Sequence, residues 1–410
     1  MKAQTCPLGM IMTSCLGKML DRAKNQGKPR KYLRNINVRW FGFDLSDVQE
    51  MRVADDEVER YSIRKGDLVV CEGGEPGRCA IWSDEETVCF QKALHRIRFN
   101  ETSDPRFYMY YLWMLAKSGM LSAYYTGTGI KHLTGESLKK LPVPVPPLPE
   151  QRRIVARIEE LFSKLDSGVE TLKKTKYQLA VYRQSVLKAA FEGRLTRTYR
   201  ETKGFEKWEM VPITAVIAKN KNALKAGPFG SALKKDCHVP SGYKVYGQEQ
   251  VIAGNETIGN YYISKKKYEE LSSCAVAPGD VLISLVGTVG KVLVLSHACL
   301  PGIINPRLIK VTLDATKMLP LFFKYYFEST YLKSLYKEKV HGATMDVLNM
   351  GMLKELPFPL CNVKEQRIVI SEIESRFSVC DSIEKSVDAA LRQTESMRQS
   401  ILKKAFEGKL

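Results

Sequence analysis

The chain has 410 residues, 44% hydrophobic and 26% charged, which is material for two cores and a connecting element. No apolar run reaches the ~18 residues of a membrane span and no signal-peptide pattern opens the chain, so the expectation is a soluble, cytoplasmic protein. A formal net charge of +18 points to a polyanionic partner, nucleic acid before membrane, because no strongly apolar helix face accompanies the basic one; solvated surface charge with no partner is the alternative.

Residues 1–138 read as a mixed α/β domain. The first forty residues carry nine basic side chains (Lys2, Lys18, Arg22, Lys24, Lys28, Arg30, Lys31, Arg34 and Arg39) against one acid, Asp21. Ile63 to Val70 is a turn feeding a β-branched strand, Gly73 to Arg78 is a second turn, and Ala93 to Phe99 is a short strand. Phe107 to Met120 is apolar, aromatic and helix-like. Tyr124 to Leu133, around Gly127-Thr128-Gly129, then leads to a proline-rich stretch.

Residues 139–195 form a proline-stiffened entry followed by one long helix. Pro142, Pro144, Pro146, Pro147 and Pro149 cannot sit in a helix interior or a central strand. Beyond them apolar residues recur at Ile154, Ile158, Leu161, Leu165, Val169, Leu172, Leu179 and Val186, with Lys and Glu between, up to a stop at Gly193. Roughly 40 to 45 helical residues give about 65 Å. Residues 196–204 are a linker.

From there the chain repeats itself. Adding 215 takes Lys139-Lys140-Leu141-Pro142 to Lys354-Glu355-Leu356-Pro357 and Glu150-Gln151-Arg152 to Glu365-Gln366-Arg367. The same step takes Lys188 to Leu195 onto Lys403 to Leu410, with Ala-Phe-Glu-Gly in both. Residues 354–410 thus hold a second entry and long helix, with Val369, Ile373, Cys380, Ile383, Val387 and Leu391 in its stripe. Residues 205–353 repeat the grammar of the first domain. Pro278 to Ile283 matches the turn and strand at Gly66-Asp67, and Gly287 to Lys291 the second turn. Asn305-Pro306-Arg307-Leu308 answers Gln91-Lys92-Ala93-Leu94, Pro320 to Phe327 answers Pro105 to Leu112, and Gly342-Ala343-Thr344 answers Gly127 to Gly129. Repeated residues describe a scaffold; those that differ, including Pro228 to Ser231 and Lys234-Lys235, carry what each domain does separately. Two amphipathic rods of equal length most simply bury their stripes against each other, with packing of each helix on its own domain as the alternative. With a linker of nine residues, an antiparallel pair places the second domain at the far end of the rod with least strain.

Catalytic readings fare poorly. Gly287-x-x-Gly290-Lys291 lacks the first glycine and the Ser/Thr of a phosphate loop, and Glu407-Gly408-Lys409 ends a long helix. The cysteines form no C-x-x-C pair. The tightest group, Cys71, Cys79 and Cys89, lacks a fourth ligand at zinc spacing, and His95, His132, His238, His297 and His341 lie far apart.

The order of domain, Leu148-Pro149-Glu150-Gln151-Arg152 helix ending in Phe191-Glu192-Gly193-Arg194-Leu195, second domain and second helix resembles the specificity subunit of type I DNA restriction-modification systems, over essentially the whole chain. Cys361-Asn362-Val363-Lys364 replaces the prolines in the second copy, and no Trp precedes Met10 to Leu20 as Trp208 precedes the second domain. The resemblance implies an α/β mixed (α+β) fold with two repeated target-recognition domains and two long antiparallel coiled-coil helices. It also implies a non-catalytic reader of a bipartite, asymmetric double-stranded DNA site. Two methyltransferase (M) subunits would dock on the helices and restriction/translocase (R) subunits would join. S-adenosylmethionine, ATP and magnesium would then be used by those partners, and none by this chain. A stand-alone DNA-binding or anti-restriction protein of the same fold is the alternative. Base reading needs Arg or Lys for guanine, Asn or Gln for adenine, and a basic surface for phosphate. The candidates are Lys28, Arg30, Arg34, Arg78, Lys92 and Lys131 in the first domain, and Lys225, Lys234, Lys235, Lys291, Arg307 and His341 in the second.

Overall fold

The computed structural model describes residues 4–21, 23–229, 232–285, 289–339 and 348–410, with the backbone alone described at 235 and 336–339. The chain divides into two compact units, Met1–Lys173 with Asp388–Leu410, and Lys174–Val387. Each holds one globular domain and parts of both long helices. No helix among the described residues is long and apolar enough to cross a membrane.

In the first unit, an antiparallel sheet runs Met12–Leu16, Leu94–Phe99, Leu68–Cys71, Cys79–Ile81 in spatial order. A second sheet orders Gln49–Val53, Lys28–Leu33, Val88–Phe90 and Ser62–Ile63, and its central pair is parallel. The second unit repeats both. Leu224–Ala226, Leu308–Val311, Val281–Ser284 and Val292–Val294 form the antiparallel sheet, and the parallel pair Tyr243–Tyr246 and Gly302–Ile304 sits inside a five-stranded one. Leu68–Cys71 and Val281–Ser284 are buried at every position, which is why they read as continuous apolar runs rather than alternating ones.

The proline entries become strands of two-stranded sheets, where a residue with no N–H to donate can face the unpaired side. Pro142–Pro144 pairs with Thr5–Pro7, and Pro357–Leu360 with Glu209–Pro212. The long helices then run Leu148–Phe191 and Val363–Phe406, 44 residues each. The first starts two residues earlier than Glu150 because Pro149 falls in the first turn, where no backbone N–H is needed. Both stop as the sequence predicts. Gly193 and Gly408 take φ of 70° and 69°, and each end closes with the paired bonds of a Schellman motif: Arg194 N to Ala189 O at 2.9 Å and Gly193 N to Ala190 O at 3.0 Å, repeated as Lys409 to Lys404 at 2.8 Å and Gly408 to Ala405 at 3.2 Å.

Glu-Gln-Arg marks the helix starts because its glutamine is a buried clamp. Gln151 accepts from Asp104 N at 2.8 Å and donates to Thr102 O at 3.1 Å and Pro146 O at 2.8 Å. Gln366 repeats this with Leu319 N at 2.8 Å, Lys317 O at 2.7 Å and Cys361 O at 3.0 Å. Both side chains are fully buried. Each amide thereby ties the entry to the loop that starts the aromatic helix Pro105–Lys117 or Pro320–Phe327.

The repeated phenylalanine has an equally definite place. In the first unit Phe406 packs edge-on against Phe107 and Tyr111, with ring centroids 5.1 Å apart in both cases. In the second, Phe191 meets Phe322 and Tyr326 at 5.3 and 5.1 Å. Each domain therefore covers the start of the helix that follows it in sequence and the end of the other one, so both ways of burying the stripe occur together. The stripe is buried at Ile154, Ile158, Leu179, Val186, Val369, Ile373, Cys380 and Val387 and half-buried at Leu161, Leu165, Val169, Leu172 and Leu391, while Ile383 is 40% exposed. The two helix segments of each unit run antiparallel. Arg183 bonds Asp381 at 2.7 Å and Glu384 at 3.0 Å and lies 5.3 Å over Phe377 in the second unit. Arg398, Asp166 and Phe162 repeat the arrangement in the first.

Residues 196–204, expected as a plain linker, are folded. Arg197–Lys203 is a helix, and Thr196 Oγ1 and Arg200 Nε donate to the fully buried Glu365 carboxylate at 2.7 and 2.9 Å. Arg200 also lies 5.2 Å over Trp208. No periodicity in nine residues could announce this, because the partner is 165 positions away.

Two stability outcomes follow. Gln366→Leu strands one N–H and two carbonyls in a dry site and should lower stability by about 1–3 kcal/mol in urea unfolding. Arg200→Met leaves Glu365 buried without its cation and should lower it by on the order of 3 kcal/mol, whereas an unchanged midpoint would show that segment 196–204 does not hold the second helix.

Candidate nucleic-acid interface

In both domains one turn is built at the same place by the same bonds. The strand Val88–Phe90 lies parallel to Lys28–Leu33, and the next residue, Gln91, donates its N–H to Leu33 O at 3.1 Å. Gly302–Ile304 lies parallel to Tyr243–Tyr246, and Asn305 donates to Tyr246 O at 2.8 Å. Each turn then closes, Leu94 N to Gln91 O at 3.1 Å and Leu308 N to Asn305 O at 3.2 Å. A glycine backs each turn: a Cβ on Gly17 would sit 2.2 Å from Gln91 O, and one on Gly227 would sit 1.8 Å from Asn305 O, so neither position accepts a side chain.

Beside each turn lies a concave recess. The first, about 470 Å³, is lined by Asn35, Glu72, Lys92, Thr126, His132 and Thr134 among others. The second, about 320 Å³, is lined by His238, Gln248, Glu249, Tyr261, Asn305 and Arg307 among others. Because Leu33 matches Tyr246 in the bonds above, Asn35 and Gln248 stand two residues beyond equivalent strand ends. Sequence reasoning missed both amides, since it ranked residues by charge. The available signal was a polar amide just after a strand whose partner strand ends in a turn.

The candidates fall into three groups. Lys92 and Arg307 line the recesses. Lys28, Arg30, Arg34 and Arg78 are held by acids of the same domain. Asp55 takes Arg30 at 2.6 Å and Lys28 at 3.2 Å, Asp47 takes Arg34 at 2.6 Å, and Glu75 takes Arg78 at 2.9 Å. Arg30, then Lys28, hold the Asp55 carboxyl below its usual range. Arg78 also donates to Asn35 O at 2.9 Å, fixing the backbone at the first recess. The rest lie along the surface. Lys131 is exposed and bonds Gly127 O at 3.1 Å, Lys234 and Lys291 are exposed, and Lys225 is half-buried in register with Lys310. Lys235 is described in its backbone alone, and His341 lies outside the described residues, as do Gly287, Gly230, Ser231 and Gly342 to Thr344.

Beneath the first recess His95 is buried. Its Nε2 faces Leu133 O at 3.2 Å, so this nitrogen carries the hydrogen, and Glu72 Oε2 lies 4.0 Å away. Burial holds the ring's pKa below its ordinary value of 6.5, partly opposed by Glu72. Burial also pushes the Cys71 thiol up to about 11 and the Cys79 thiol well above its usual range, and among the described residues no group of His, Cys, Asp and Glu could hold a metal.

A match to the family described as type I restriction modification DNA specificity domain covers residues 22–177 and again 206–393. The chain therefore belongs to that family and contains its domain twice. The chain is 26% identical over 366 residues to the EcoBI specificity subunit of Escherichia coli, 86% of this chain and 75% of that subunit. With the StySPI specificity subunit of Salmonella potsdam it shares 26% over 298 residues, 71% of this chain and 62% of that one. A chain from a structural study of complex assembly in a type I R-M system superposes with a TM-score of 0.72 at 18% identity, covering 99% of this chain and 98% of that one. The HsdS subunit from Thermoanaerobacter tengcongensis does so at 0.58 and 19%, covering 100% and 97%. At these identities the superpositions show a shared fold.

A depressed histidine pKa sets a sign for acid sensitivity. The stabilisation from keeping His95 neutral is complete above the unfolded-state value near 6.5 and is lost as pH falls through the lower folded value. Thermal melts of the full chain from pH 7 to pH 5 should therefore show a loss that His95→Gln reduces; an equal loss in both proteins would remove His95 as its source.

Proposed function

We propose that this chain is the non-catalytic DNA-reading subunit of a type I restriction-modification complex, each domain reading one half of a bipartite, asymmetric site in double-stranded DNA. The observation that carries this is the turn and recess built twice on matching backbone bonds but furnished with different side chains, Asn35, Lys92 and Ala93 in one copy and Gln248, Pro306 and Arg307 in the other. A shared frame supplies the same docking geometry, and unlike side chains supply unlike sequences. The +18 charge supports a phosphate-holding surface around both. On this reading two methyltransferase subunits dock on the long helices, where Tyr177 (71% exposed) and Val379 (59%) leave apolar surface. Restriction subunits join that assembly, which works in the cytoplasm, where the DNA lies. S-adenosylmethionine, ATP and magnesium belong to those partners.

Exchanging 205–353 for the same domain of a relative tests the proposal. Methylation mapping of the reconstituted complex should show one half of the target changed and the other retained. A swap that alters both halves together would contradict two independent readers. Tyr177→Glu with Val379→Glu should reduce co-purification with the methyltransferase subunit while leaving DNA affinity of the chain alone unchanged.

A further inference from the structure

Arg307 differs from the other arginines offered for base contact. Arg30, Arg34 and Arg78 each face a carboxylate within 3 Å, whereas no carboxylate lies within ion-pair distance of Arg307 among the described residues. Its position is nonetheless fixed from two sides. Asn305 Oδ1 accepts the Arg307 backbone N–H at 2.9 Å, and Pro306 stiffens the intervening turn position. These place Arg307 at the third residue of a closed four-residue turn. Gln248 Oε1 then accepts from Arg307 Nη1 at 3.4 Å, and the same amide donates from Nε2 to Oγ of the buried Ser284 at 2.9 Å. A guanidinium offers donors only, so the amide oxygen is the end presented to it, and the Ser284 hydroxyl, which can donate or accept, takes the Nε2 end.

The result is an exposed guanidinium at the rim of a recess, steadied through Nη1 by a neutral acceptor, with its Nε and Nη2 edge unoccupied by any described contact. Two parallel donors in one plane are what the major-groove edge of guanine, with O6 and N7, accepts. A carboxylate partner would have to be displaced before reading; an amide would not. Gln248 is then a positioning residue, and Ser284 acts through it. The first domain has no equivalent: Ala93 fills the third position of its turn, Lys92 the second, and Cys71 stands where Ser284 does in the bond to the following turn.

Resting on the DNA-reading proposal, we infer that Arg307 is the residue by which the second domain selects a guanine in its half-site.

The test uses the full chain and a panel of duplexes in which every position of its target carries each of the four bases. Arg307→Lys keeps the charge and removes the planar fork; Arg307→Ala removes both. Both variants should lose roughly 5- to 150-fold in affinity for the preferred duplex, flatten the preference at one guanine in the half read by residues 205–353, and leave the other half's preferences intact. If Lys restores affinity and every base preference survives in both variants, Arg307 contacts phosphate and the inference falls while the DNA-reading proposal stands. A wild-type chain with no base preference at any position would overturn that proposal itself, and the inference with it.

Discussion

One amide side chain, used twice, fixes the places where helix, entry and domain meet. Gln151 and Gln366 each bind one N–H and two carbonyls in a site closed to water, so three backbone segments must arrive together or leave buried groups unpaired. Only the carboxamides, glutamine and the shorter asparagine, offer an acceptor and two donors with no charge to desolvate; a glutamate would turn one favourable end against two carbonyls. The aromatic plugs Phe406 and Phe191 complete each junction from the other helix.

A frame set by buried amides, aromatic rings and backbone bonds leaves the exposed turns free to vary. The second sheets illustrate how freely. In the first domain the strand Lys28–Leu33 carries its cations against Asp55, while the matching strand Tyr243–Tyr246 turns a lysine inward, where Lys244 bonds Thr257 O at 2.9 Å and burial lowers its pKa. The parallel pairing beside it is the same in both. Sequence divergence on a common register is what two readers of different sequences require.

The repeat, the helix lengths and the helix stops were legible because glycine, proline and apolar spacing act locally. The 215-residue offset led directly to the matched Schellman ends at Gly193 and Gly408. What escaped was set by partners distant in sequence. The burial of Glu365 under Arg200 made a helix of a presumed linker, and nothing in the spacing of Glu-Gln-Arg said that the glutamine is buried in both copies and the glutamate fully buried only in the second. The recesses escaped for a related reason: Asn35 and Gln248 carry no charge, and charge was the signal followed. Charge also ranked Arg30 and Arg34 with Arg307, although acids already occupy the first two.

The central claim is that two copies of one frame read two different half-sites. Sequencing the duplexes that the full chain, with its methyltransferase partner, retains from a fully randomised pool tests it most directly. The account predicts two short blocks of fixed bases, unlike one another and separated by an unspecified gap of constant length. A single contiguous block, or two identical blocks in inverted order, would contradict it.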